Sequence, residues 1–394
     1  MTIQLLVTDR NLNTLGVLAG HTKLSCDRNH NKPASGEVTL PATQENMALL
    51  QSGRRLVLIR DRAIWCAGPL EEPQSPYTWD LEQNAGPGTV TVRWTDDLGR
   101  IAGYLTYPNP AADFESQLTT ADTRRTFILD NAETIIRTLI DENCGPGALA
   151  ARRVEQLVLD DVAGVGGIRS LTTRFDPLLD ACRTVAATDR LGFRTRQVGN
   201  EIRFGVYAPA DRTGTARFSA GLGNLRSVAF TLGAPRATAE LVQGGDDPAQ
   251  QPAEGDPPNE RVYVEVNSGQ AGDWYRVEKF VDQGGKTDAN GELTQAGTLA
   301  LGDDNAQASL TTVTVDTEDL RAGRDYDLGD LVAVVLPTGL EIADIVQTIR
   351  LTDSPDEGEL VTTVVGNNDA TTLTRTVWTI RDLAYRLGQI EGRG

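Results

Sequence analysis

The sequence predicts a β-rich α+β protein, and three observations carry that expectation. Most of the chain consists of short runs that alternate apolar and polar residues, the period of a half-buried strand. These runs are cut at close intervals by Gly, Pro, Asn and Asp, with 39 glycines and 18 prolines supplying the turns. Helical period with matching end signals is confined to three segments.

The elements follow in chain order. Residues 36–41 read as a strand; residues 54–60 and 63–67 flank Asp61-Arg62 and read as a tight hairpin; residues 89–94 form a further strand. The first helix is expected from Asp130, which can cap it, with Glu133 three residues on, an apolar stripe at Ile135, Ile136, Leu139 and Ile140, and a stop at Gly145-Pro146. A second is expected from the cap Asp176 and Pro177 through Leu178, Leu179, Cys182, Val185 and Ala186 to Gly192. In residues 201–207, Ile202, Phe204 and Val206 share one strand face. Residues 242–260 contain no basic residue and no large apolar one after Val242, which predicts an acidic loop between two strands. A short third helix is expected over residues 379–387, with Ile380, Leu383, Ala384 and Leu387 on one side. Composition and pattern divide the chain into four parts: 1–103 (β), 104–215 (α+β, with both main helices), 216–325 (β, carrying the acidic loop 242–260) and 326–394 (β with a terminal helix).

Charge narrows the function classes. The formal net charge is −18, from 37 Lys plus Arg against 55 Asp plus Glu. That balance argues against a nucleic-acid reader, which needs basic surface to displace phosphate counterions. The longest apolar run, residues 331–336, is six residues, far from the roughly 20 that span a bilayer. The first residues carry no basic region of the signal-peptide kind, so neither a signal peptide nor a membrane anchor is expected. Cys26, Cys66, Cys144 and Cys182 form no CxxC pair and read as reduced, mostly buried thiols.

Catalytic patterns are sparse. His21, Cys26 and His30, with Asp27 between, are the only dense set of potential metal donors; a fourth ligand and a finger spacing are missing, and no metal or cofactor is expected. A nucleophilic triad or dyad would have to use His21 or His30, and neither sits near a nucleophile elbow. The doublets Asp96-Asp97, Asp160-Asp161 and Asp303-Asp304 have the chemistry of a glycosidase pair, yet in a chain with 55 acids they read as solvated turns. Residues 288–292 imitate part of a calcium loop, but in register Lys286 and Gly297 stand where the first and last ligands belong, so a turn at Asn290-Gly291 is expected. Gly164–Gly167 and Gly221–Gly223 lack the remaining residues of a phosphate cradle. No catalytic, cofactor-binding or metal-binding residue is therefore assigned.

The order of the pieces resembles the tail-tip hub, or minor tail, proteins of long-tailed siphophages, a family related in fold to the baseplate hub of contractile phages and the hub region of tail-associated lysins. The pieces are Gly36-Glu37-Val38-Thr39-Leu40-Pro41, the hairpin 56–60 to 64–68, Ala132 to Arg137, Leu191-Gly192-Phe193-Arg194, Phe204 to Thr213, Phe218 to Leu225, Glu278-Lys279-Phe280-Val281-Asp282, and Tyr326-Asp327-Leu328-Gly329-Asp330-Leu331-Val332 running on to Gly366.

The resemblance implies two tail-tube-like β-barrel modules with an inserted α+β domain and a further small β module. It also implies a structural, non-enzymatic virion protein at the tail tip: a homotrimeric hub that joins the hexameric tail to a three-fold fibre or spike and forms part of the DNA exit channel. Expected partners are the distal tail protein, the tape-measure protein and a central fibre or other minor tail proteins, with DNA as passing cargo. Three such chains together carry −54, a charge that would repel the phosphate backbone if acids line the channel. After Gly366 only 28 residues remain, too few for the hydrolase domain that many relatives carry. Two alternatives stand beside this one: a peptidoglycan hydrolase using an acid pair, and a receptor- or carbohydrate-binding β protein. The second is weakened by aromatics at 5% and by the scatter of Trp65, Trp79, Trp94, Trp274 and Trp378.

Overall fold

The structure, a computed structural model, describes residues 3–72, 77–78, 86–118, 124–232, 234–246, 261–283, 291–304 and 308–366. The expected helix 379–387, most of the acidic loop (247–260) and the turn residues Asp288 to Asn290 lie outside the described residues.

The first part of the chain builds β1 (Ile3–Thr8), β2 (Thr14–Leu18), β3 (Lys23–Asn29), β4 (Lys32–Pro41), a short α1 (Gln44–Leu49), β5 (Arg55–Arg60), β6 (Ala63–Glu72), β7 (Tyr77–Thr78), β8 (Thr89–Thr95) and α2 (Asp97–Ile101). The hairpin expected around Asp61-Arg62 forms between β5 and β6, and both turn residues take positive φ, as a two-residue hairpin turn demands. Gly36 on β4 pairs with Trp94 on β8; a Cβ at that glycine would come within 2.2 Å of the indole, so the ring lies flat over a site only glycine leaves open.

Residues 125–207 form a separate α+β unit: β9 (Arg125–Asn131), α3 (Ala132–Asn143), β10 (Leu157–Leu159), β11 (Ile168–Thr173), α4 (Leu178–Asp189), β12 (Gly192–Val198) and β13 (Glu201–Tyr207). Both main helices stand where their apolar stripes place them, and α3 stops before Gly145-Pro146 as expected, but neither N-terminal cap is built as expected. Asp130 remains in β9, and Asn131 caps α3 by accepting from the N–H groups of Glu133 (3.0 Å) and Thr134 (3.3 Å). Glu133 makes no capping box; it is fully buried and accepts from the amides of Ala163 (2.7 Å) and Val165 (2.9 Å). Asp176 does not cap α4 either, since its Oδ2 accepts from the Thr173 hydroxyl and the Arg174 amide, leaving Pro177 at the cap position. The helix stops at Arg190, which adopts a left-handed conformation (φ 54°), and Gly192 already belongs to β12.

The remainder runs through β14 (Arg217–Ser219), β15 (Leu225–Leu232), β16 (Ala239–Asp246), β17 (Arg261–Asn267), β18 (Glu278–Asp282), α5 (Glu292–Asp304), β19 (Ala308–Val315), β20 (Leu331–Val335), β21 (Glu341–Asp353) and β22 (Leu360–Val365). Helix α5 is absent from the sequence expectation because Gly297 and Gly302 depress its intrinsic propensity. Packing reverses that penalty: a Cβ on Gly297 would stand 2.6 Å from Val266 and 2.7 Å from Val242, so the glycine lets the helix lie close on the β16–β17 pair. Asp303-Asp304 accordingly ends a helix and is not a free turn.

Fourteen strands join in one large sheet whose main path is β15-β19-β22-β21-β3-β4-β8-β6-β5-β1-β2. The 13-residue β21 makes this continuity, pairing with β20, β22 and, from Thr348↔Asn29 to Asp353↔Leu24, with β3. Two tube-like barrels were expected; the described strands instead form an open path ending at β2 and β15, and no barrel closes. The protein is β-rich with few helices. One apolar core lies along the large sheet, around Leu56, Leu58, Trp94, Phe218, Ile349 and Leu351, and a second fills the α+β unit around Ile135, Leu139, Cys182, Phe193 and Phe204. No helix among the described residues is long and apolar enough to cross a membrane.

Candidate functional site

The main cleft, of about 570 Å³, opens where β6, β12 and the loop 321–328 meet, so all three parts of the fold contribute to it. Its lining includes Arg28, Arg60, Arg194, Arg196, Arg321 and Arg324, facing Asp61, Asp96, Asp97 and Asp327. A concentration of arginines in so acidic a chain asks for an electrostatic explanation.

The explanation is pairing within the chain. Asp327 accepts from Arg28 on β3 (3.1 Å) and from Arg194 on β12 (2.9 Å), joining the large sheet to the α+β unit through one carboxylate. Burial alone would raise the Asp327 pKa; the two guanidinium groups and the Leu328 amide outweigh it and hold the carboxyl below its ordinary value. Arg60 is spent on three partners: Glu359 (2.7 Å), Asp316 (3.1 Å) and the Ala322 carbonyl (3.3 Å). Arg28 and Arg60 both stand against the Trp65 ring, at 4.7 and 4.9 Å from its centroid. Gly323 (φ 80°) brings the 321–328 loop up to that ring, where a Cβ would sit 3.1 Å from it. Arg194 also lies over Tyr207, whose hydroxyl donates to the Leu328 carbonyl (3.0 Å) and whose pKa burial raises.

A second clamp lies beside the first. Arg55 and Asp97, both almost wholly buried, form a two-pronged ion pair, and Arg55 reaches Gln197 on β12 at 3.3 Å. Asn31, in the β3–β4 turn, donates to the Leu191 carbonyl and accepts from the Phe193 amide, each at 2.8 Å. The Asp96-Asp97 doublet is thus no solvated turn: Asp96 caps α2 and Asp97 is locked to Arg55. Burial pushes the Asp96 pKa up to about 7.

The other candidates disperse. His21 pairs with Asp353 (2.7 Å), Cys26 points into the core, and Asp27 pairs with Arg350 on the opposite strand face. Burial lowers the His30 pKa to about 4, with the Asp327 charge acting against it. No cluster of three metal-ligating side chains occurs among the described residues. Asp160 binds Arg196 (2.5 Å) and Arg203 (3.8 Å), while Asp161 is exposed. Contact with Cys66, then burial, raises the Cys26 pKa, and burial raises those of Cys144, to about 12, and Cys182. These thiols are protonated and inert at neutral pH. Gly166 and Gly223 are turn glycines with positive φ.

What this arrangement does is fix one part of the fold against another. Its residues carried no joint local signal, since the partners of Asp327 lie 299 and 133 positions away. Two pieces of the sequence resemblance do meet at the joint: Ala210 donates to Asp330 (2.8 Å) and Arg212 to the Leu331 carbonyl (2.7 Å), with β14 pairing in parallel with β20.

Comparison with solved structures places this fold among prophage tail proteins. The 43 kDa tail protein of prophage MuSo2 from Shewanella oneidensis superposes with a TM-score of 0.59 at 12% identity, covering 93% of this chain and 99% of that one. The tail protein from Neisseria meningitidis MC58 gives 0.57 at 11% identity (94% and 98%), and prophage tail protein gp18 from Listeria monocytogenes EGD-e gives 0.55 at 9% (96% and 99%). Residues 3–367 match the siphovirus ReqiPepy6 Gp37-like protein family, and the chain belongs to it. Among curated proteins no sequence matches the chain.

Proposed function

We propose that this chain is a structural, non-enzymatic subunit of the siphophage tail tip. Three copies would form a baseplate hub between the hexameric tail and a three-fold fibre or spike, around the exit channel. The observation that carries this reading is coverage: the tail-protein fold takes up 93–96% of the chain, and its main cleft is filled with charges already paired to one another. The large sheet supports it further, because its main path ends, among the described residues, at β2 and β15, each bonded on one side, and β2 presents exposed Leu15 and Val17. In this reading the four parts 1–103, 104–215, 216–325 and 326–394 are the modules of the hub. Its neighbours are the distal tail protein, the tape-measure protein and a central fibre, and DNA passes without being bound.

The test is the mass and symmetry of the purified protein together with its position in the particle. A closed three-fold ring at the tail tip is the expected result. A stable monomer absent from particles would sink the proposal, and a positively charged channel wall would remove the role given to the −18 charge.

A further inference from the structure

Helix α5 covers one face of the inserted sheet β17-β16-β18, lying on the side of Val242 and Val266. Strand alternation puts Glu240, two residues before Val242, on that same side. Its side chain is wholly buried, and neither carboxyl oxygen meets a hydrogen-bond donor. A buried ionised carboxylate without a donor is costly, so the group must satisfy its oxygens in another way. Register places Lys279 of β18 on one flank of Glu240 and Val266 of β17 on the other. The Lys279 ammonium does not serve Glu240; it donates to Asp304 Oδ2 (2.6 Å), at the last residue of α5. Asp304 is held there a second time, because its carbonyl accepts from the Arg236 and Ala237 amides that lead into β16. The two carboxyl groups therefore stand together beside one ammonium group. Among the described residues, the charged groups facing Glu240 are Asp304 from α5 and Lys279 from β18.

We propose that Glu240 and Asp304 share one proton, which fastens the end of α5 to β16 and whose loss loosens that end of the helix. With the proton on Glu240, its hydroxyl donates to the Asp304 carboxylate, and one negative charge meets one ammonium. Without it, two carboxylates face each other with a single cation beside them. Burial, then the charge of Asp304 and a hydrogen bond to it, raise the Glu240 pKa, and Lys279 offsets them only in part. A folded pKa above the ordinary 4.5 makes the latch a feature of low pH: its contribution is complete below 4.5 and is lost as pH rises through the folded value. The other end of α5 is fixed by neutral donors on β11, the Thr172 hydroxyl to Glu292 (2.8 Å) and the Ser170 amide to Gln295 (3.4 Å). The helix thus bridges the α+β unit and the inserted sheet, and deprotonation weakens its hold on the sheet while its start stays on β11. This inference stands independently of the tail-tip reading.

Hydrogen exchange on the full-length chain tests it, with protection measured from about pH 5 to about pH 8 for wild type and Glu240→Gln. In wild type, protection at the end of α5 and along β16 falls as pH rises, by about tenfold for each unit by which the folded pKa exceeds the ordinary one. In Glu240→Gln it stays constant, because the amide donates to Asp304 at every pH. Protection in α3 stays unchanged in both proteins, which separates release of the latch from unfolding. Infrared spectra of wild type with isotope-labelled glutamate carboxyl groups give a readout that needs no variant: one acid band titrates with a midpoint above 4.5. The same pH dependence of protection in wild type and Glu240→Gln, or no glutamate midpoint above 4.5, overturns the proposal.

Discussion

At the joint between the large sheet and the α+β unit, Asp327 meets Arg28 on β3 and Arg194 on β12, and Arg55, locked to Asp97, reaches Gln197 on β12. On the outer face of the inserted sheet β17-β16-β18 the carboxylates Glu265 and Glu278 are bridged by Arg276 from the neighbouring connection, and Leu241, Tyr263 and Phe280 beside them are exposed. The joint spends its charges internally and buries them, where loss of one partner leaves an uncompensated ion. That outer face keeps its charges at the surface, where pairing contributes little. Charge at the first region maintains geometry; at the second it stays at the surface.

The largest expected effect breaks the first region. Asp97→Ala strands the Arg55 guanidinium in the interior and lowers the unfolding free energy by about 3–5 kcal/mol, while Arg55→Met with Asp97→Leu recovers most of that loss; denaturant titration reads both. Asp327→Ala removes two charge-assisted hydrogen bonds from a less buried site and lowers stability by about 2–3 kcal/mol, with the α+β unit uncoupling from the large sheet in calorimetry.

Acidity sharpens the comparison, since two groups beside the joint titrate in opposite senses. His30 has its folded pKa lowered from 6.5 to about 4, so its contribution is present above pH 6.5 and lost as pH falls toward 4. Asp96 has its pKa raised from 3.8 to about 7, so its contribution is present below pH 3.8 and lost as pH rises through 7. Between pH 7 and pH 5, His30→Gln should therefore gain relative to wild type on acidification and Asp96→Asn should lose, each by about 1–2 kcal/mol. Equal slopes in all three proteins would contradict both assignments. The smallest effect belongs to the inserted sheet: Glu278→Gln gives no measurable change in the unfolding midpoint, because the Arg276 pair is exposed.

Much of the scaffold was legible locally. The hairpin at Asp61-Arg62 follows from its flanking alternation, and the positions of α3 and α4 from their apolar stripes. Their caps were not legible, because Asp130 and Asn131 are equally able to cap; Asn131 does so from the last position of β9, its side chain accepting from the Glu133 and Thr134 amides. Asp176 was likewise drawn away by Thr173 and Arg174. The misreading of Asp96-Asp97 has the same root: a doublet looks solvated until an arginine 42 positions earlier is folded against it.

By itself, the sequence determined β-richness, the two main helices, the acidic balance and the lack of a conventional catalytic motif, since each depends on composition or on a period of a few residues. Tertiary structure alone decided that β21 closes onto β3, that the strands join in an open sheet without barrel closure, that a glycine-bearing segment becomes α5, and that six arginines gather at one cleft. The physical reason is range: alternation tells each strand which side to bury, but the choice of neighbour is settled by contacts between residues hundreds of positions apart, which leave no local mark in the chain.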